Sequence, residues 1–436
     1  MSLLDAALLT AVLAYSRRDL PAFRPFQRRL LLAVLLLVGL QIAWEGYYWQ
    51  LLPAYAGIGL AAFGITGRVS MGLVAIAMSS TWLVLPVPQL TKPAGSYAVG
   101  TQVFRWTQPT DARKVVVQAW YPADPAAAGP RQPFIDGLGQ LPESVGFLPR
   151  CLFRQYHQID TFAVRDGGVS PAVARWPVVV FLPGFGAPRA FYTSLVSNLA
   201  SYGLVVLAVD HPDESPITEL ADGTISSAKD SFPDSDAGGI AFMYTRMEAR
   251  AADASFVIDQ LDLPGRLGPQ LSGRLALNQV AVIGHSLGGA AAAVAMHRDA
   301  RVIAGANIDG TLHGTISNHQ LHHPFLVIES DRQVTKHSLQ YVESTERLLK
   351  NLTNGGHHYA IKRTNHYAFT DLPLLFSAPG RFLVSQVLGG SRPAEETHRI
   401  TVDLLVSFLR RLTGGRPELV DEAAARYANV VGGPAR

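Results

Sequence analysis

Apolar residues follow two different regimes along this chain. Over the first 91 positions they run almost unbroken, and between Arg29 and Lys92 the only charged residues are Glu45 and Arg68. Such a deficit is expected of lipid-embedded helices rather than of a dry soluble core. Leu3 to Tyr15 is apolar except for Asp5, and Arg28 to Gly46 makes a fuller span, ending among Trp44, Tyr47, Tyr48 and Trp49 as suits the headgroup level. Leu51 to Gly67 and Ser70 to Val87 supply two further segments, with Arg68 in the turn between them. The pattern predicts a multispan α-helical membrane domain of three to four spans over residues 1–91. Arg17, Arg18, Arg24, Arg28, Arg29 and Arg68 all fall in loops on one side. The positive-inside rule makes that side cytoplasmic, so everything after about Gln89 lies on the extracytoplasmic face of the cell (inner) membrane.

Beyond a Pro- and Thr-containing linker at Pro88 to Gly95, apolar residues come in short blocks alternating with helical-period segments. Tyr97 to Trp106 and Lys114 to Tyr121 read as strands. Residues 122–176 are irregular and too long for a plain connection, so they read as a cap or binding loop. Strands follow at Val178 to Leu182, Leu204 to Val209, Val280 to Ile283, Val302 to Ala306, Phe325 to Glu329 and Tyr359 to Lys362. Helices are expected at Pro188 to Ser201, Phe242 to Leu261, Gly289 to Met296, Val334 to Leu349 and Thr397 to Leu412, with a polar surface excursion at 214–238. Wholly apolar strands alternating with helices predict a doubly wound, mostly parallel α/β sheet over 92–413. The Ala/Gly-rich tail at 414–436 reads as frayed.

Composition narrows the chemistry. Apolar residues make up 48% of the chain and charged residues 16%, and the charge deficit is local to the first segment. A net charge of +3 without a basic, aromatic-interleaved stripe argues against nucleic acid. Cys151 is the single cysteine, which rules out an intramolecular disulfide. His322-His323 and His357-His358 are adjacent pairs whose side chains diverge on a strand, and no HExxH, GxGxxG or P-loop occurs. No metal or cofactor is therefore expected.

The chemistry centres on Asn278 to Ala290, NQVAVIGHSLGGA. An apolar strand runs into Gly284-His285-Ser286-Leu287-Gly288 and then into a small-residue helix, the context a G-x-S-x-G nucleophile elbow requires. Ser286 is the candidate nucleophile, and the Leu287 backbone N–H faces any developing oxyanion. A second donor is expected from Gly184-Phe185-Gly186, at Phe185. A serine needs a base, and the base an acid to hold its tautomer. His366, just past the last strand, is the candidate base, whereas His357 and His358 fall at that strand's other end. Asp309 and Asp331 both lie between Ser286 and His366 at strand ends. Gly310 after Asp309 permits a sharp turn, whereas Asp331 reads equally well as a helix N-cap. His211 and Asp213, at another strand end, are read as pocket wall.

From about Tyr97 to Leu412 the chain resembles the α/β-hydrolases of the platelet-activating factor acetylhydrolase type. The resemblance rests on VQAWYPADP at 117–125, FLPGFGAPRAFY at 181–192, HPD at 211–213, GHSLGG at 284–289, the acid at 309 and the histidine at 366. It implies a serine carboxylic ester hydrolase with Ser286, Asp309 and His366 as triad and Phe185 and Leu287 as oxyanion donors. Pro183 departs from the histidine often found before that glycine, and the multispan segment is absent from the family's secreted members. Short-chain or lipid-derived esters are the implied substrates, reached from the bilayer through residues 1–91. A lipase or cutinase-like polyester hydrolase, an acyltransferase, and a non-catalytic membrane protein keeping the fold are the alternatives.

Overall fold

The computed structural model describes residues 3–16, 24–45, 55–59 and 88–435, apart from short breaks at 110–111, 142, 146–147, 229–231, 234, 377–380, 383–384, 386–389, 414–415 and 417–418. Two compact units result. One comprises Met1–Gln89, Leu148–Ile159 and Leu374–Gln386, the other Leu90–Phe147, Asp160–Pro373 and Val387–Arg436. The expected cap is not one body, because 148–159 groups with the first unit.

In the first unit, α1 (Leu3–Ser16) and α2 (Gln27–Glu45) bury Leu8, Val12, Tyr15, Val34 and Ile58 together. The multispan expectation finds no support here: among the described residues no helix is long and apolar enough to cross a membrane. The physical reason is visible in α2, whose 19 residues begin with Gln27, Arg28 and Arg29 and end with Glu45. The apolar run left between them falls short of the roughly 20 residues a span needs. Apart from a helical turn at 55–59, the third and fourth expected segments lie outside the described residues.

The second unit is built on one ten-stranded sheet. Its strands are β1 (Ala98–Thr107), β2 (Lys114–Ala123), β3 (Ala163–Arg165), β4 (Trp176–Leu182), β5 (Val205–Asp210), β6 (Leu275–His285), β7 (Val302–Ile308), β8 (Phe325–Glu329), β9 (Gly356–Ile361) and β10 (Val430–Pro434). Their order across the sheet is β10-β9-β8-β7-β6-β4-β5-β2-β1-β3. The strands from β5 through β4, β6, β7 and β8 to β9 pair in parallel. β2 joins β1 and β5 antiparallel, and β10 joins β9 antiparallel. Two expectations are corrected here. β3, inside the supposed cap, pairs with β1 as an edge strand. The supposedly frayed tail forms α9 (Leu419–Ala424) and β10, because Val430 and Val431 find open backbone partners on Ile361 and Ala360.

Alternation along β4 explains the two layers. Val178, Val180 and Leu182 pack on one face with α4 (Asp236–Gln260) and α5 (Leu287–Arg298), and Val179 and Phe181 on the other with α3 (Thr193–Ser201) and α8 (Ala394–Leu409). With both faces covered, the strands carry no polar alternation, which is why they read as solid apolar blocks. The single helix expected over Val334 to Leu349 is two, α6 (Arg332–Thr335) and α7 (Leu339–Lys350). Lys336 in the left-handed conformation (φ 53°) ends α6, and Ser338 caps α7 by accepting from Tyr341 N.

Candidate active site

Polar residues gather at the carboxyl ends of the central parallel strands, where open α/β sheets place their ligands. β6 ends at His285, and the chain turns through Ser286 at φ 55°, ψ −128° into α5. Only a tight crossing allows that turn: a Cβ on Gly288 would lie 2.0 Å from Leu182 O, and one on Gly284 2.4 Å from Gly288 C. Both glycines are thus demanded by close approach rather than by turn geometry. Ser286 N donates to Ile308 O at 2.8 Å, which anchors the elbow to β7. The strain sits on the serine itself, as expected where a nucleophile is held exposed.

Asp309 follows β7 with φ 56°, and its side chain is fully buried. Gly310 serves a different purpose from the one expected. A Cβ there would lie 2.0 Å from Ser286 O, so the glycine lets the acid's loop approach the elbow. Asp309 Oδ2 accepts from His366 Nδ1 at 2.8 Å. This leaves His366 Nε2 as the ring's basic atom, because a carboxylate can only accept. Burial alone would raise the Asp309 pKa, but hydrogen bonds from His337 and His366 hold it well below the usual carboxylate range. Asp331 is elsewhere. Its oxygens accept from Gln333 N at 3.1 Å and Arg363 N at 2.8 Å, so it caps α6 and ties the loop after β9.

Ser286, Leu287, Asp309 and His366 line one cavity of about 300 Å³, together with Met243, Thr311, His313 and the Thr335–Ser338 turn. Among the described residues, no acceptor bonds the backbone N–H of Phe185 or of Leu287, which leaves both available to an oxyanion. The Phe185 ring is not in the cavity wall. It packs edge-on against Phe242, with ring centroids 5.5 Å apart. The loop carrying Phe185 is clamped from below, where buried Arg250 donates to Pro183 O at 2.7 Å and to Glu214 Oε2 at 2.6 Å.

His211 and Asp213, expected as pocket wall, are not among the residues that line this cavity. His211 Nδ1 lies 2.8 Å from Asp253 Oδ2 and the ring is buried, while Asp213 accepts from Ser226 Oγ at 3.0 Å. The α4 carboxylate draws the imidazole down beside the sheet. His357 and His358 lie within β9 at its start, opposite Leu326 and Val327.

Three side chains that matter were not legible. His337 Nε2 lies 2.9 Å from Asp309 Oδ1. Gly184 N donates to Tyr192 Oη at 3.0 Å, Tyr192 Oη lies 2.8 Å from His285 Nδ1, and His285 Nε2 reaches His366 O at 3.0 Å. Since the hydroxyl accepts from Gly184 and the carbonyl only accepts, Tyr192 donates to Nδ1 and His285 carries its proton on Nε2. Burial, with the nearby His366, pulls the His285 pKa down to about 3, so the ring is neutral. His285 and Tyr192 fall inside quoted motifs, GHSLGG and FLPGFGAPRAFY, but nothing in either motif pairs the two rings, and His337 lies in neither.

The family model described as platelet-activating factor acetylhydrolase, isoform II, matches residues 85–233 and 257–422. Over 276 residues the chain is 27% identical to a probable 1-alkyl-2-acetylglycerophosphocholine esterase of Arthroderma benhamiae, covering 58% of this chain and 65% of that protein. It is 24% identical over 316 residues to a platelet-activating factor acetylhydrolase of Cavia porcellus, covering 65% of this chain and 68% of that protein. The match thus spans just under two thirds of the length of the first of these relatives and just over two thirds of the second. A ferulic acid esterase from Streptomyces cinnamoneus superposes with a TM-score of 0.66 at 29% identity, covering 79% of this chain and 99% of that one.

Proposed function

Because the chain belongs to the platelet-activating factor acetylhydrolase, isoform II, family, we propose that it is a serine carboxylic ester hydrolase cleaving short-chain or lipid-derived esters through an acyl-enzyme. The observation that carries this reading is the Asp309–His366 pair at 2.8 Å in one cavity with Ser286. His366 Nε2 takes the Ser286 proton as Oγ attacks the ester carbonyl, and the N–H groups of Phe185 and Leu287 stabilise the tetrahedral oxyanion. Collapse expels the alcohol, which receives the proton from His366. Water then attacks the acyl-enzyme with His366 again as base.

The names of the two curated relatives support an acetyl ester on a glycerophospholipid as substrate class. The ferulic acid esterase, matched over 99% of its length, supports a second class, esters of aromatic acids. Hydrolysis of an ester series graded by acyl length and including an aryl ester separates them. Ser286→Ala, folded as judged by circular dichroism, should retain less than about 10⁻⁴ of wild-type kcat. Retention of a tenth of the activity would remove Ser286 from the mechanism.

Residues 1–91 are read as the membrane attachment, with residues beyond about Gln89 on the extracytoplasmic side of the cell (inner) membrane. The arginine distribution supports the orientation. Apolar side chains left exposed on α2 support the attachment, Leu32 at 66% and Leu36 at 65% among them.

A further inference from the structure

The Asp309 carboxylate accepts four hydrogen bonds. Oδ1 receives Ser330 N at 2.7 Å and His337 Nε2 at 2.9 Å, and Oδ2 receives Ser330 Oγ at 2.9 Å and His366 Nδ1 at 2.8 Å. A carboxylate offers about four lone-pair positions, so all are filled. Two donors belong to Ser330, the residue that follows β8. The other two are imidazoles brought from separate loops, and only His366 is needed for the proton transfer described above.

His337 is held for this contact. It is the single residue between Lys336, which ends α6, and Ser338, which caps α7. Its ring lies flat on Tyr341, with centroids 3.9 Å apart and planes 12° from parallel, and its side chain is 6% exposed. Nδ1 has no partner among the described residues, so the ring's polar contact is made through Nε2. Since the carboxylate can only accept, Nε2 carries the proton.

We propose that His337 is a positioning residue for the hydrolytic reaction, fixing the rotation of Asp309 so that Oδ2 meets His366 and drawing part of the carboxylate charge to Oδ1. The inference rests on the esterase reading for its purpose. Without His337 only the two bonds from Ser330 hold Asp309 against turning, and the charge it presents to His366 is less shared, which makes His366 more basic. The titratable groups facing this pair are His337 and Tyr341, with the His285 ring behind His366 at 4.5 Å between ring centroids and tilted by 36°. His313 and Lys336 line the same cavity.

The test uses the full chain and the rate at which a fluorophosphonate modifies Ser286. In that reaction Oγ attacks phosphorus, fluoride leaves and the Oγ proton passes to His366. His337→Phe keeps the stack on Tyr341 and removes the donor, whereas His337→Gln places an amide N–H near the lost one. The Phe variant should react about tenfold or more slowly, with the acid limb of its pH profile moved up by about half a unit. The Gln variant should recover to within about threefold of wild type, since it restores the donor. On an Asp309→Asn background His337→Phe should cost nothing further, because coupled residues are not additive. Equal rates and limbs for Phe and wild type, a Gln variant as slow as Phe, or full additivity with Asp309→Asn would each overturn the proposal. Should the Phe variant not fold, His337→Asn, too short to reach Oδ1, takes its place. Labelling needs no natural substrate, so normal labelling without turnover of any ester would sink the substrate reading and leave this test intact.

Discussion

His285, the residue before Ser286, donates through Nε2 to the backbone carbonyl of His366 at 3.0 Å. The turn at Ser286 therefore braces His366 from behind, and through Tyr192 it also grips Gly184 of the loop that carries Phe185. One neutral ring thus ties together three parts that come from different strand ends. Its neutrality is a requirement, because protonated Nδ1 could no longer accept from Tyr192.

A stability prediction follows from that neutrality. The folded pKa of His285, about 3, is depressed below its ordinary 6.5. The unfolded chain therefore binds the extra proton first as pH falls. The contribution is fully present above about 6.5 and is lost on descending towards 3, at about 1.4 kcal/mol per pH unit. Melting temperatures measured across this window should fall steeply for wild type. They should fall less for His285→Gln, and a parallel slope would show that another group governs acid unfolding.

The two candidate acids make opposite predictions. Asp309→Asn keeps the shape but favours the wrong His366 tautomer, so kcat should drop by roughly 10³–10⁴. Asp331→Asn should leave kcat within about tenfold and cost about 1 kcal/mol of stability, because the amide has one oxygen and cannot accept from both Gln333 N and Arg363 N. Kinetics and denaturant melts on both variants check this, and the reverse ranking would move the acid to Asp331.

Arg250 should matter beyond its distance from the serine. It is 1% exposed and holds both Pro183 O and Glu214. Arg250→Met leaves buried Glu214 with only the longer ion pair to Arg246, at 3.8 Å, and should cost about 3 kcal/mol in urea unfolding. The freed loop should also lower kcat more than it raises KM, because the oxyanion contact is made in the transition state. Arg250→Met with Glu214→Gln should regain stability but not kcat.

The exposed apolar face of α2 predicts membrane association. Leu32, Leu35, Leu36, Leu40 and Ile42 are all exposed there. The full chain should sediment with membranes and resist extraction at high salt. Replacing Leu32, Leu36 and Leu40 with Gln should release more of it to the soluble fraction. Unchanged partition would assign the attachment to other residues.

Some features of this protein are local, and the sequence determined them. The elbow is five residues whose glycines, apolar strand and small-residue helix are contiguous. The solid apolar blocks of β4, β6 and β8 announced a sheet covered on both faces. The strand-end positions of Asp309 and His366 followed from the same blocks. Other features depended on where distant segments meet. Val430 and Val431 look like tail residues until β9 offers them an open edge. His211 looks like a site residue until Asp253 on α4 takes its ring. His337 lay inside an apparently continuous helical period, and only the break at Lys336 turned it out towards a carboxylate 28 residues earlier. A one-dimensional pattern carries periodicity and turn chemistry because these are set by neighbours along the chain. Which donor fills the last lone pair of a buried carboxylate is set by packing in three dimensions, and tertiary structure alone decided it.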